Sequence, residues 1–306
     1  MSGIEEKVEE LKKLIEASGL DARDEIGRLE EKIRSRSMAE KAWRQVELAR
    51  HPDRPYSMDY IGRVFDGFIE LHGDRAFADD PAIVGGLGFL SGRPVTVIAQ
   101  QKGRTLKENV RRNHGMANPE GYRKALRLAK AAEKFRRPVV TLVDTSGAYP
   151  GVGSEERGVA EAIARNLREF SQLAVPIVCV IIGEGGSGGA LGICVGDRVY
   201  MLENAIYSVI SPEGCASILL RDASRAKDAA AMLRITSADL LEFKVVSAVI
   251  PEPEGGAQNG IDGVAAAIKG ALERDLAELC AKRPEALVRQ RNQRLRKMGH
   301  WGEGGA

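Results

Sequence analysis

Aromatic residues are scarce in this sequence, at 5% of its 306 positions, and neither sign of charge dominates. Forty-five basic residues face 43 acidic ones, so the formal net charge is only +2. A dedicated nucleic-acid binder needs a clustered basic face, and a single-strand binder adds aromatic rings on which bases stack. The composition therefore argues against both classes of protein.

Cysteines are few, and long apolar runs are lacking. No two of the four cysteines have the close spacing of a zinc site or a redox motif, and three lie among apolar or small residues, which predicts buried thiols in a reducing compartment. The longest apolar run, near 175–182, is far shorter than the roughly 20 residues of a membrane span. The charged N-terminus does not resemble a signal peptide. We expect a cytoplasmic protein with no membrane segment and no metal site of its own. The cysteines are Cys179, Cys194, Cys215 and Cys280.

The first part of the chain carries two short apolar stripes at helical spacing, separated by Ser18-Gly19. Steps of three and four residues are typical of amphipathic helices, so we predict an N-terminal helical hairpin over residues 1–36. A main domain over 37–282 and a basic, glycine-rich tail over 283–306, expected to be frayed, complete the predicted organisation. The stripes are Ile4, Val8, Leu11 and Ile15, and then Ile26, Leu29 and Ile33.

Between about residues 56 and 256, short β-branched runs alternate with amphipathic patterns, which predicts an α/β fold with a buried sheet. One strand-to-strand connection, at 91–94, departs from a simple βαβ order. The predicted strands are 83–90, 95–100, 139–143, 177–182, 199–202, 206–210 and 245–250. The predicted helices are 58–71, 119–135, 155–170, 188–195, 212–220 and 257–281.

The glycine-rich segment at 183–192 is the most informative one, because it follows a strong strand and opens a small-residue helix. Glycine lets a ligand approach the backbone, and the first amides of a helix have no intrahelical acceptor. The segment therefore predicts a socket for negative charge.

Four interpretations of this socket are open. It could be a dinucleotide fingerprint, although the acidic residue expected about 20 positions later is not evident. It could be a nucleophile elbow at Ser187, although the histidine of the triad would have to be His300 in the tail. It could be an oxyanion hole formed by the amides of Gly188 and Gly189. Finally, the glycines could serve tight packing alone.

A second glycine-rich loop, at 144–153, follows the predicted strand that ends at Val143. If the two strands are neighbours in a parallel sheet, both loops lie at its carboxyl edge, where open α/β folds bind ligands. Neither loop carries histidine or cysteine, which argues against nucleophilic catalysis.

A basic run leaves the strand that ends at Gln100. It could meet phosphates or an acidic partner, whereas a solvated face is the simpler interpretation for two of its members, Arg104 and Lys107. The run consists of Lys102, Arg104, Lys107, Arg111 and Arg112.

Together, these segments resemble the alpha-subunit family of the bacterial acetyl-coenzyme A carboxylase carboxyltransferases. The resemblance implies a crotonase/ClpP-like spiral of ββα units, with two oxyanion holes at each composite active site. One departure is Ser146, where the family commonly has proline. The segments that carry the resemblance are 49–56, 101–112, 119–128, 144–153, 183–190 and 209–216.

The activity implied by this resemblance is transfer of a carboxyl group from carboxybiotin to acetyl-CoA, which gives malonyl-CoA in the first committed step of fatty acid biosynthesis. The implied partners are a beta subunit that binds acyl-CoA and carries zinc, in an alpha2beta2 assembly, together with the biotin carboxyl carrier protein and biotin carboxylase. The ATP-dependent complex would be cytoplasmic.

The same resemblance places the catalytic amides on Gly188 and Gly189. We expect the wall of the carboxybiotin site to be formed by Gly147, Ala148, Gly185 and Gly186, and contacts with CoA phosphates or the partner to come from Lys102, Arg111 and Arg112. Two alternatives stay open beside the hydrolase: a biotin-dependent acyl-CoA decarboxylase subunit, and a non-catalytic scaffold whose hairpin recruits partners.

Overall fold

The computed structural model describes residues 23–299, together with Lys7 and Lys13, although it leaves out the side chains of Arg23, Asp24 and Ile26. The first helix of the predicted hairpin therefore lies largely outside the described residues. The chain divides into two compact units, one of 1–44 and 212–233 and the other of 45–211 and 234–306. The division into 1–36, 37–282 and 283–306 stays a prediction.

The described part of the smaller unit is made of helices joined by short connections. It contains the helix Arg23–Ala49 as far as Arg44, and then a succession of short helical turns. These are the α-helix Pro212–Cys215, the π-helical turn Ala216–Leu220, the 3₁₀ turn Ala223–Arg225 and the α-helix Ala226–Leu233.

The larger unit is built on an eight-stranded sheet with the order β1-β2-β3-β4-β5-β6-β8, in which β7 pairs with the end of β5. The pairs β1–β2 and β2–β3 are antiparallel, and every other pair is parallel. The strands are β1 Asp66–Glu70, β2 Ile83–Leu90, β3 Arg93–Gln100, β4 Val139–Thr145, β5 Ile177–Gly186, β6 Arg198–Leu202, β7 Ile206–Ser208 and β8 Ala248–Ile250.

Helices cover the central strands, which explains why those strands are continuous apolar runs rather than alternating ones. Every residue of β4 is buried, and so are the first nine of β5. The α-helices of this unit are Ser57–Val64, Leu106–Arg111, Pro119–Lys134, Val152–Glu156, Val159–Gln172, Ser187–Leu191, Ser237–Glu242, Ile261–Cys280 and Pro284–Arg296, and its 3₁₀ turns are Asn113–Gly115 and Ala257–Asn259.

The structure confirms the seven predicted strands, with β7 ending two residues earlier than expected and β8 beginning three residues later. It also confirms the tight connection at 91–94, where Ser91 and Gly92 have positive φ angles. Three cysteines are buried free thiols as predicted, while Cys280 is exposed.

The helix predicted over 188–195 ends at Leu191, and the one predicted over 155–170 is divided into Val152–Glu156 and Val159–Gln172. Two further predictions of local structure are wrong in kind. The helix expected over 58–71 ends at Val64, and the strand β1 follows it, because residues 66–70 pair with β2. The tail expected to be frayed contains the helix Pro284–Arg296, which buries Leu287 and Arg291. Residues 300–306 lie outside the described part. No helix among the described residues is long and apolar enough to cross a membrane.

Candidate functional site

The two glycine-rich loops lie at one edge of the sheet, as the sequence predicted. Strands β4 and β5 are parallel neighbours, and their ends meet where Thr145 pairs with Gly185. Both strands then leave the sheet at its carboxyl edge. Strand β4 continues into the 146–151 loop, and β5 continues into the helix Ser187–Leu191. This is the edge at which open α/β sheets bind their ligands.

Close backbone approach explains two of the glycines. A Cβ at Gly186 would lie 2.1 Å from the carbonyl oxygen of Ser146, and a Cβ at Gly189 would lie 2.3 Å from the carbonyl carbon of Gly147. No side chain fits there, so these two glycines are needed for the loops to pack. Gly185 is constrained as well, since its Cβ would meet the ring of Tyr207 at 2.6 Å.

Packing does not explain Gly188 or Gly147. A Cβ at Gly188 would make only ordinary contacts, at 3.7 and 3.8 Å, with the side chain of Ile163. A Cβ at Gly147 would have nothing within 4 Å. The packing interpretation therefore accounts for part of the motif and leaves Gly188 and Gly147 without a structural requirement.

The helix that begins at Ser187 places backbone N–H groups at this edge. Ser187 has φ +47°, a left-handed value that turns the chain sharply out of β5. Gly188 is half-buried and Gly189 is buried, and both belong to the first turn, where amides have no intrahelical acceptor. Such amides can bind an oxygen on which negative charge develops.

The geometry gives no support to a serine hydrolase within the described residues. Ser187 is exposed, but each described histidine is hydrogen-bonded elsewhere. His51 accepts from the amide of Asp53, and the imidazoles of the other two contact carboxylate or amide side chains. His300, on which the triad interpretation depended, lies outside the described residues.

A chain of four alternating charges lies at the ends of the same two strands. The Lys102 ammonium is 2.8 Å from Asp144 and 3.1 Å from Glu184, and the Arg50 guanidinium donates to the other oxygen of Glu184 at 2.7 Å. Three of these side chains are at most 14% exposed, and Arg50 is 31% exposed. The network links Asp144, near the end of β4, to Glu184, near the end of β5.

Burial and neighbouring charges have opposing effects on the pKa values of Lys102 and Glu184. Burial lowers the pKa of Lys102, but the carboxylates of Asp144 and Glu184 outweigh burial and leave that pKa above its usual range. Burial raises the pKa of Glu184, but Lys102 and Arg50 more than compensate, so that its net pKa is lowered. Both groups are therefore charged at neutral pH.

The residues of the basic run, which was predicted to contact phosphates, lie in different environments. The ammonium of Lys102 is engaged by two carboxylates. Arg104 lies 4.1 Å over the Tyr56 ring and pairs with Asp59, and Arg112 donates to Glu108 and to the carbonyl of Pro81. Arg111 is exposed at the end of its helix.

Gln100, which the sequence analysis did not select, bridges the two loops. Its side chain is fully buried at the end of β3, where Nε2 donates to the Gly189 carbonyl at 2.8 Å and Oε1 accepts from the Asp144 amide at 3.1 Å. The only sequence signal was a polar residue at the end of an apolar strand. Among the described residues, no group of histidine, cysteine and carboxylate side chains is arranged to hold a metal ion.

Comparison with known proteins identifies the family. Residues 1–299 match the family model described as "Acetyl co-enzyme A carboxylase carboxyltransferase-like". This chain belongs to that family. A relative from Treponema denticola, named acetyl-coenzyme A carboxylase carboxyl transferase subunit alpha, is 61% identical over 96% of both chains. The protein of the same name from Halorhodospira halophila is 54% identical and covers 97% of this chain and 94% of its own.

Solved structures support the fold of this carboxyltransferase family member. A transcarboxylase 12S structure with methylmalonyl-coenzyme A and methylmalonic acid bound superimposes with a TM-score of 0.60 at 22% identity, over 74% of this chain and 41% of the other. A Pseudomonas malonate decarboxylase hetero-tetramer in complex with coenzyme A gives 0.58 at 16% identity, over 71% and 90%. These likenesses confirm the crotonase-like α/β fold.

Proposed function

We propose that this chain is the alpha subunit of an acetyl-CoA carboxylase carboxyltransferase, which moves a carboxyl group from carboxybiotin to acetyl-CoA and so forms malonyl-CoA for fatty acid synthesis. Two relatives with this name match nearly the whole chain at 61% and 54% identity. The chemistry agrees with the site, because neither loss of the carboxyl group from biotin nor formation of an acetyl-CoA enolate requires a strong nucleophile. Both require donors at an oxygen that gains negative charge.

In this proposal the N–H groups of Gly188 and Gly189 bind the ureido oxygen of biotin as it becomes anionic. The observation that carries the assignment is Gly188 itself, which occupies the first turn of a helix without being required by packing. Gly147 and Ala148 would form the facing wall, while Gly185 and Gly186 keep the backbone close enough to shape it. Carboxybiotin would arrive on its carrier protein as a substrate.

The proposed assembly has further members. A beta subunit would bind the acyl-CoA thioester and carry the zinc ion, in an alpha2beta2 complex that works with the biotin carboxyl carrier protein and biotin carboxylase in the cytoplasm. Arg111, which is exposed at the end of its helix, is offered as a contact for CoA phosphates or the beta subunit. Lys102 and Arg112 would stabilise the site without contacting a ligand, because their polar groups already bind carboxylates or a backbone carbonyl.

Gly188→Pro in a complex with a carboxyltransferase beta subunit tests the assignment. Proline removes one amide donor, and loss of one oxyanion donor costs about 10²–10³ in kcat in other enzymes. Gly188→Ala keeps the donor and is the matched control. Malonyl-CoA formation should therefore fall by about that factor in the proline variant alone.

Normal turnover by Gly188→Pro would contradict the assignment of the amide. Supplying malonyl-CoA in place of acetyl-CoA addresses the decarboxylase alternative, because net conversion of malonyl-CoA with no carboxylation of acetyl-CoA would favour that activity. Labelling of Ser187 by a fluorophosphonate would revive the hydrolase alternative.

A further inference from the structure

The side chain of Gln100 hydrogen-bonds to the backbone of both glycine-rich loops. Its Nε2 donates to the Gly189 carbonyl at 2.8 Å, and its Oε1 accepts from the Asp144 amide at 3.1 Å. These two partners fix which end of the carboxamide is oxygen and which is nitrogen, since a carbonyl only accepts and an N–H only donates. The side chain is fully buried, so water does not compete for either bond.

The Gly189 carbonyl differs from its neighbours in the same helix. The carbonyls of Gly188, Ala190 and Leu191 accept from the backbone amides of the residues three or four positions later, at 2.9 to 3.2 Å. Ile193, which could have bonded to Gly189, donates to Ala190 instead. The Gly189 oxygen is bound by side chains, with the Tyr122 hydroxyl donating at 3.3 Å besides Gln100.

The Asp144 amide is similarly released from the sheet. The register of β4 against β5 shifts between Val143 and Thr145, so the amide between them leaves the regular ladder and Gln100 accepts it. The Asp144 carboxylate accepts in turn from the amide of Glu184, at 3.0 Å. One carboxamide thus sets the orientation of a peptide in each loop, at points where glycine or a strand irregularity leaves the backbone free to turn.

We propose that Gln100 is a positioning residue for carboxyl transfer. It holds the carbonyl of Gly189, in the peptide directly after the two donor amides, and the amide of Asp144, so that the N–H groups of Gly188 and Gly189 stay directed at one oxygen of the substrate. Gln100 acts through the backbone and contacts no substrate itself. The proposal rests on the function proposed above, because it concerns the same oxyanion site.

The test measures kcat and KM for acetyl-CoA in the reconstituted alpha–beta complex. Gln100→Met keeps the length of the side chain and removes both hydrogen bonds, and we expect kcat to fall by about 10- to 100-fold, as for other small displacements of catalytic groups. The KM for acetyl-CoA should stay unchanged, since Gln100 positions the biotin side of the site.

Thr96→Val is the matched control. Thr96 lies four residues earlier on the same strand and is equally buried, and its hydroxyl has no hydrogen-bond partner among the described residues. This variant changes a buried polar side chain of β3 without removing a bond to either loop. We expect it to keep the wild-type kcat.

The pH dependence of kcat in Gln100→Glu distinguishes a positioning role from a purely structural one. As a carboxylate it still accepts from Asp144 but repels the Gly189 carbonyl, whereas its protonated form can donate to that carbonyl and restore both bonds. Burial raises the pKa of a carboxylic acid, so protonation falls within reach of the assay. The ratio of its kcat to the wild-type kcat should therefore rise as pH falls, while the same ratio for Gln100→Met stays flat.

The outcomes separate the two proposals. An inactive wild-type complex overturns the proposed function and this inference with it. An active wild type beside a fully active Gln100→Met, or a pH-independent ratio for Gln100→Glu, overturns the inference alone. Copurification with the beta subunit and the melting temperature are measured for each variant, and failure of both Gln100 variants to assemble would assign the residue to stability and also overturn the inference.

Discussion

At the scale of single residues, two adjacent glycines have opposite surroundings. Gly189 faces backbone atoms of the 146–148 loop, whereas Gly188 faces the flexible end of Ile163. We expect Gly189→Ala to destabilise the fold by roughly 1–3 kcal/mol, the usual cost of overpacking, because backbone atoms at 2.3 and 2.5 Å from the new Cβ must shift. Chemical denaturation measures this change in the free energy of unfolding.

Gly188→Ala is the control for that experiment, because the added methyl group makes only ordinary contacts. It should leave the free energy of unfolding within about 0.5 kcal/mol of wild type. Equal destabilisation by the two substitutions would show that the loops do not pack as described.

The common position of the two glycine-rich loops could be predicted from sequence, whereas the residues that hold them could not. A strand followed by glycines and a helix is a local pattern, and it correctly placed both loops at one edge of the sheet. Gln100 and Glu184 acquire their roles only when β3, β4 and β5 are side by side. Lys102 was expected to contact CoA phosphates or the partner, but its ammonium lies between two carboxylates.

At the scale of elements, the C-terminal helix Pro284–Arg296 depends on one buried arginine. Arg291 donates to the carbonyls of Phe170, Leu173 and Val175 and pairs with Asp197 at 2.7 Å. Arg291→Met should destabilise the protein by about 3–5 kcal/mol, since it leaves Asp197 buried without its countercharge. The free energy of unfolding in urea provides the measurement.

Arg289→Met is the matched control on the same helix, because Arg289 is exposed. Substitutions at such positions usually change stability by no more than about 0.5 kcal/mol. An unchanged unfolding midpoint for Arg291→Met would mean that the helix does not contribute to the stability of the larger unit.

The strands β2 to β8 were predicted more reliably than β1 and the C-terminal helix. The buried parallel strands appear in the sequence as continuous β-branched runs, which few other elements resemble. Residues 66–70 follow a helix with apolar residues at helical spacing, and only their pairing with β2 makes them a strand. The C-terminal helix was missed because its arginines suggest solvent, and nothing local reveals that Arg291 is surrounded by carbonyl groups.

At the scale of the whole molecule, the proposed chemistry needs a second chain. The glycine loops offer donors for one oxyanion, whereas the enolate forms on an acyl-CoA that the beta subunit would hold. We expect no malonyl-CoA formation by this chain alone, and a rate that rises with added beta subunit and saturates at equal amounts of the two. A coupled assay of malonyl-CoA across that titration is the measurement.

The Gly188→Pro variant serves as the control in this titration. It should bind the beta subunit to the same saturation point without restoring the rate, because the missing amide lies in the site and not in the proposed interface. Turnover by the chain without any partner would contradict the composite site.

The alternating charges of Arg50, Glu184, Lys102 and Asp144 limit the range of the electric field around the site. Two positive and two negative groups cancel, so at a distance the lysine and the arginine project little field into solvent. What remains at the loop edge is the set of peptide dipoles, whose attraction for an anion acts only near contact. The site would therefore attract a biotin ring only at short range, whether the ring is neutral or charged. Binding would become tighter only when the ureido oxygen becomes anionic.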